Sequence, residues 1–255
     1  TGSTASPETS TAPASPETST APASPETTTA PASPVVDAET APASVDSTTT
    51  TTTTSTIPAI PELSRPVRMI VAGDSTGEAY GNGVVSWAAA SPDVAQAELN
   101  VERGCGFLRD GDYLLDGEWP EVRDDCSDWL ERDLPDRVSE TGADVVLMVT
   151  TSWDVLDRRW DAGAGFATDT DEMRARLRFD FTRVTDELLA EGAGTVVWVK
   201  APIPNPLWFS RGTEQEQPAR HEVLHDVMDE IAVTHPGDVY VVDLLGYFDE
   251  MGYTD

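Results

Sequence analysis

Val67-Arg68-Met69-Ile70-Val71-Ala72 runs directly into Gly73-Asp74-Ser75-Thr76. The first six residues read as a buried strand, and the segment from 75 to about 90, with Val84, Val85, Trp87 and Ala88, reads as a helix. Gly81 and Gly83 weaken the expectation of a regular helix there. A serine at such a strand-to-helix turn projects its hydroxyl from the carboxyl edge of a sheet, beside the unbonded amides of a helix start. In α/β proteins that is where nucleophiles and ligand sites lie. Gly-Asp-Ser alone recurs by chance; its position after the first strand of the folded region gives it weight.

Working outward, apolar runs alternate with amphipathic ones. Residues 97–101 read as a short strand and 104–125 as a loop. Residues 126–141 read as a helix with Trp129, Leu130, Leu134 and Val138 at helical spacing, and 144–150 as a fully buried strand. A long helix follows over 171–191, then a strand over 195–199, a helix over 214–234 and a last strand over 239–242. This alternation predicts a five-stranded parallel sheet with helices on both faces, a three-layer α/β/α sandwich of the flavodoxin-like kind. Neither a Gly-x-Gly-x-x-Gly fingerprint nor a Walker phosphate loop is present. Gly81-Asn82-Gly83 is no substitute, because it falls within the helix rather than in the turn before it.

The composition changes sharply at about residue 64. Residues 1–64 hold no Lys, Arg or aromatic residue and are nearly all Thr, Ser, Pro and Ala. They open with a nine-residue repeat phased by Ser6, Ser15, Ser24 and Ser33, and they include the threonine run from Thr48 to Thr54. Two prolines per repeat and no apolar core residue argue against a β-solenoid. The segment is expected to be a disordered, partly polyproline-like stalk and a candidate for O-glycosylation, or an ordinary interdomain linker. Residues 65–255 are then one domain. The whole chain carries −30; the stalk holds seven acidic residues, which leaves −23 on the domain. That charge disfavours nucleic acid and anionic membrane surfaces as partners. The chain begins at Thr1 within the repeat and stops soon after a strand signal, so both ends read as cut.

Cys105 and Cys126 lie in one acidic, irregular stretch. Behind an extracellular-looking stalk they read as a disulfide closing a loop of about twenty residues; the alternative is two separate buried thiols. His221, His225 and His235 are remote from the cysteines and no Cys-x-x-Cys occurs, so no metal set is read, and no cofactor is called for. His221 and His225, at i and i+4, read as packing or surface residues, and His235, before Pro236, as an exposed loop residue.

With these residues the chain resembles the SGNH, or GDSL-type, hydrolase family. Gly73-Asp74-Ser75 is similar to its first block, and Gly104 or Gly106 to its second. More specifically it looks like the SGNH domains appended to bacterial membrane acyltransferases. The features in common are Gly104-Cys105-Gly106, Cys126-x-x-Trp129 and Ser152-Trp153-Asp154-Val155 with Asp157-Arg158 following. The resemblance implies Ser75 as nucleophile with Asp74 beside it, and an oxyanion held by the Ser75 amide and one of the two glycines, with Gly104 favoured. It also implies a pocket around Thr151, Ser152, Trp153 and Asp154. Two blocks depart from the family. Trp153 stands where the family places the Asn of Gly-x-Asn-Asp, so it is either a bulky one-donor substitute or a packing residue at the rim. Thr151 or Ser152 would then offer a hydroxyl, and Asp154 would orient the loop or pair with Arg158. The Asp-x-x-His block that supplies the base does not follow Asp243. The fragment is therefore expected to have little hydrolase activity of its own.

These readings converge on a serine esterase or O-acyltransferase acting on acylated cell-surface glycans or small acyl esters. On the resemblance it would lie outside the cytoplasm and belong with a membrane acyltransferase domain. The competing reading is a non-catalytic module that binds glycan or acyl donor. A mere spacer leaves the Gly-Asp-Ser turn unexplained.

Overall fold

Val67–Gly73 forms strand β1 and Ser75–Ala90 forms helix α1, so the turn between them is the single residue Asp74. In the computed structural model the described residues are 64–160, 163, 165–204 and 217–253. The expected stalk, apart from Ser64, and the expected helix start at Glu214 lie outside them. The remaining main strands are β2 (Ala95–Val101), β4 (Val145–Val149), β6 (Val196–Lys200) and β7 (Val239–Asp243). All pair in parallel, in the order β2-β1-β4-β6-β7. The chain therefore winds one way from β1 to β2 and the other way from β4 onward. The crevice beyond the ends of β1 and β4 is the switch point at which open α/β sheets hold ligands.

Side-chain alternation along β1 divides the core. Ile70 and Ala72 face one layer together with Val146, Met148, Val196 and Trp198. That layer is closed by α3 (Leu134–Thr141), α4 (Asp171–Ala190) and α5 (Pro218–Thr234). Val71, Val149 and Val199 face the other layer, against Tyr80 and Val84 of α1 and Leu244 of α6 (Leu244–Glu250). The α/β/α sandwich with a five-stranded parallel sheet is thus as expected. At the centre of the larger layer Phe181 stacks on Trp198 at 4.5 Å, and Phe107 meets Trp198 edge-on at 5.3 Å.

Three local features differ from the expectations. Helix α1 is continuous through Gly81 and Gly83. The helix expected over 126–141 begins earlier, as α2 (Asp124–Asp128), and passes through a π-helical turn (Trp129–Asp133) into α3. Pro135 has no N–H to give to the preceding turn, and the Leu134 N–H instead reaches back five residues to the Trp129 carbonyl. Finally, the segment read as loop contains β3 (Asp112–Tyr113), which pairs antiparallel with β5 (Arg158–Arg159). Two-residue strands lack the length to show an alternating pattern.

Candidate functional site

Three segments meet at the switch point. The first is the β1–α1 corner. A Cβ on Gly73 would stand 1.9 Å from the Val149 carbonyl oxygen, so only glycine lets β1 and β4 close here. Asp74 caps α1, its Oδ1 accepting from the Thr76 N–H at 2.7 Å and the Gly77 N–H at 3.2 Å. The Asp74 carbonyl takes the Glu78 N–H. Of the first-turn amides only that of Ser75 is left without an acceptor among the described residues, and Ser75 itself is exposed. A hydroxyl and an unspent amide of one residue thus face solvent at the positive end of a helix.

The second segment follows β2. The Glu102 N–H donates to the Gly73 carbonyl and extends the β1–β2 pairing, which brings Gly104 beside the Ser75 corner. Gly104 has a φ of 80°. That left-handed backbone suits glycine, and the Gly104 N–H has no acceptor among the described residues. Cys105 and Cys126 form a disulfide with a Cα–Cα distance of 5.3 Å, as expected, and tie this loop to α2. Phe107 then plugs the loop into the aromatic core.

The third segment follows β4. Thr151 is fully buried, and its hydroxyl pairs with that of Thr76 at 2.9 Å, so it is engaged with α1. Ser152 is half-buried. The Asp154 carboxylate, also fully buried, accepts from the Phe107 and Leu108 amides at 2.9 and 2.8 Å and from the Thr150 hydroxyl at 2.5 Å. It orients the second segment from within. Gly106 lies against this carboxylate, where a Cβ would meet Oδ1 at 2.3 Å. Arg158 does not hydrogen-bond to Asp154. Its NH2 donates to the Trp153 carbonyl at 3.2 Å, and burial pushes its pKa down. Trp153 is half-buried, packs edge-on against Tyr113 at 5.5 Å and turns its ring edge toward Gly104.

Asp74 is the most perturbed acid at this corner. It is 1 % exposed, and its Oδ2 accepts no hydrogen bond. Burial raises its pKa to about 6, with the nearby Asp154 charge adding to the rise, while the bonds from Gly77 and Thr76 oppose it.

The three histidines lie on α5 or directly after it. His221 and His225 are buried on α5, with rings 6.3 Å apart, and burial lowers the His225 pKa to about 4. His235 follows α5 and precedes β7, which places it at the amino edge of the sheet, away from Ser75. It was expected to be exposed. Instead its ring is held at both nitrogens, with Nε2 2.9 Å from Asp186 Oδ1 and Nδ1 2.9 Å from the Ile231 carbonyl oxygen. The one clustering of metal-type ligands among the described residues is Cys105, Asp125 and Cys126, and the disulfide uses both sulfurs. Sequence reading missed Arg123 and Tyr113 at this site, since neither stands in a motif and both arrive from the irregular 104–125 segment.

No family model and no curated protein matches the chain. Solved structures do. A lipase/acylhydrolase from Enterococcus faecalis shares 17% identity over 72% of this chain and 79% of its own, with a TM-score of 0.45. Phospholipase A1 from Streptomyces albidoflavus shares 17% over 72% and 82%, with a TM-score of 0.43. The periplasmic domain of a lipopolysaccharide acetyltransferase from Salmonella ser. Paratyphi A shares 11% over 71% and 67%, with a TM-score of 0.40. The likeness is to a lipase/acylhydrolase, a phospholipase and the periplasmic domain of an acetyltransferase. It is a likeness of fold and carries no argument about chemistry. No helix among the described residues is long and apolar enough to cross a membrane.

Proposed function

We propose that this domain is a serine esterase or O-acyltransferase, with Ser75 as the nucleophile, acting on acyl esters of cell-surface glycans outside the cytoplasm. The observation that carries the reading is the Ser75 corner: an exposed hydroxyl whose own amide, and that of Gly104 beside it, make no hydrogen bond among the described residues. In this mechanism Ser75 Oγ adds to the acyl carbonyl carbon and the carbonyl electron pair moves onto oxygen. The two amides stabilise that oxyanion. Collapse expels the sugar oxygen, and the acyl group passes to water or to a second hydroxyl. The serine proton requires a base, which the family resemblance would supply as a histidine from an Asp-x-x-His segment. The glycan, the location and the pairing with a membrane acyltransferase also rest on that resemblance.

The test uses the full-length natural protein. Native protein is expected to label at Ser75 with a fluorophosphonate probe and to cleave p-nitrophenyl acetate, and Ser75→Ala to lose both. Undiminished turnover in Ser75→Ala would sink the proposal. Trp153 favours the second reading, a glycan- or donor-binding module, because it sets an aromatic ring where the family has an amide donor. Glycan binding that survives Ser75→Ala, with no probe labelling, would establish that reading instead.

A further inference from the structure

The β2 loop holds a cationic donor that no motif announces. Arg123 caps the start of α2 with an extended backbone, and its side chain turns back over the loop. Nε donates to Asp125 Oδ1 at 2.8 Å, while NH2 donates to Glu102 Oε1 and to the Arg103 carbonyl, each at 3.0 Å. NH1 takes no part in these bonds and has no acceptor among the described residues. It lies 3.1 Å from where a Cβ on Gly104 would stand, and the Trp153 ring edge lies 3.7 Å from the same point. Gly104 is therefore flanked on its Cβ side by a guanidinium nitrogen of the half-exposed Arg123 and by an indole edge. A fork pinned at Nε and NH2 presents NH1 with little rotamer freedom left to lose.

We propose that Arg123 is a catalytic residue: its NH1 donates a third hydrogen bond to the acyl oxyanion, alongside the Ser75 and Gly104 amides. It would take over the task of the missing Asn side chain, whose place Trp153 fills. The proposal rests on Ser75 acylation and adds one donor to it. As Ser75 Oγ bonds to the acyl carbon, the carbonyl π pair becomes the oxyanion lone pair facing NH1. It returns to carbon as the bond to the leaving sugar oxygen breaks, and the proton that a general base takes from Ser75 passes to that oxygen. A charged donor held in place before the reaction stabilises developing charge more than a neutral one. Because NH1 binds the oxygen chiefly in the transition state, its loss lowers kcat more than it raises KM.

The experiment compares native protein, Arg123→Gln, Arg123→Ala and Ser75→Ala in the full-length chain, with p-nitrophenyl acetate as substrate and a fluorophosphonate probe for Ser75. Arg123→Gln is expected to lose about 10²-fold in kcat with KM changed little, the scale of removing one oxyanion donor. Added guanidinium or methylguanidinium should restore part of the Arg123→Ala rate and none of the Ser75→Ala rate. That rescue separates chemistry from the bracing that Arg123 also gives to Glu102 and Arg103. If native protein labels at Ser75 but Arg123→Gln turns over at the native rate, the assignment of Arg123 is overturned and the serine reading stands. The same holds if folded Arg123→Ala is slow and guanidinium does not rescue it. If Ser75→Ala keeps full activity, the serine reading fails and the Arg123 assignment fails with it.

Discussion

Two corners of this sheet are built from the same parts and differ in almost every physical respect. At the end of β1, Asp74 caps α1; at the end of β7, Asp243 caps α6, its Oδ1 accepting from the Gly246 N–H at 2.8 Å. Asp74 is buried and its corner is pressed against β4, whereas Asp243 is exposed and α6 buries none of its residues fully. Capping explains the aspartate in both places, because each helix start leaves amides to be satisfied. Only at the β1 corner is the cap taken out of water, and there an amide and a hydroxyl are left over. A sheet has several strand-to-helix corners, and the one that carries the exposed Ser75 is the one whose cap is taken out of water.

The comparison breaks most easily at the glycines. Gly73→Ala drives a Cβ into the backbone oxygen of Val149, which cannot move without parting β1 from β4. We expect a loss of more than about 4 kcal/mol, seen as little or no folded protein. At the other corner a Cβ on Gly246 would meet Asp243 Oδ2 at 2.6 Å, the end of an exposed side chain that can swing away. Gly246→Ala is expected to cost about 1 kcal/mol, the worth of the cap, or about 2–4 °C in Tm. Equal losses at the two glycines would refute the distinction. The Ser75 corner is also braced by the disulfide, for which the β7 corner has no counterpart among the described residues. Replacing Cys105 and Cys126 together by Ala should cost about 3 kcal/mol in urea unfolding.

The strands and the Ser75 corner were legible because each rests on a local pattern: an apolar run, then glycine, a cap residue and a helix. The disulfide was legible from the composition of its surroundings. The interior side of the site was not. Asp154 was expected to orient the loop or pair with Arg158, and it does the first, by reaching the amides of Phe107 and Leu108, forty-seven and forty-six residues away along the chain. Contacts of that span leave no periodicity behind. Arg123 was invisible for the same reason, since its partners lie in a loop with no repeating pattern. The π-helical turn could have been suspected from Pro135, because a proline in mid-helix removes a donor that the preceding turn expects.

A smaller and more specific effect concerns pH. The Asp74 pKa is raised by burial to about 6, from an ordinary 3.8. The folded state therefore holds this proton more tightly than the unfolded state does. Its stabilising contribution is complete below about pH 4 and is lost as the pH rises to about 6. A shift of about two units corresponds to at most about 3 kcal/mol. Asp74→Asn keeps a capping oxygen and carries no charge, so its stability should fall less between pH 4 and 7 than that of the native chain. Urea unfolding at both pH values checks this, and parallel curves for the two proteins would show that burial of Asp74 does not penalise its charge.

The smallest effect tests the exposed corner itself. Asp243→Asn should leave stability within about 0.5 kcal/mol of native, since Asn caps a helix as well as Asp and this residue stays exposed. Asp243→Ala removes the oxygen that takes the Gly246 N–H, yet water can reach that amide in its place. The expected loss is about 1 kcal/mol, confined to α6, whose amides should exchange faster while those of β1 and α1 keep their protection. If Asp243→Ala instead weakened protection at the Ser75 corner, the two corners would be coupled through the sheet, and the contrast between a costly cap and a cheap one would no longer hold.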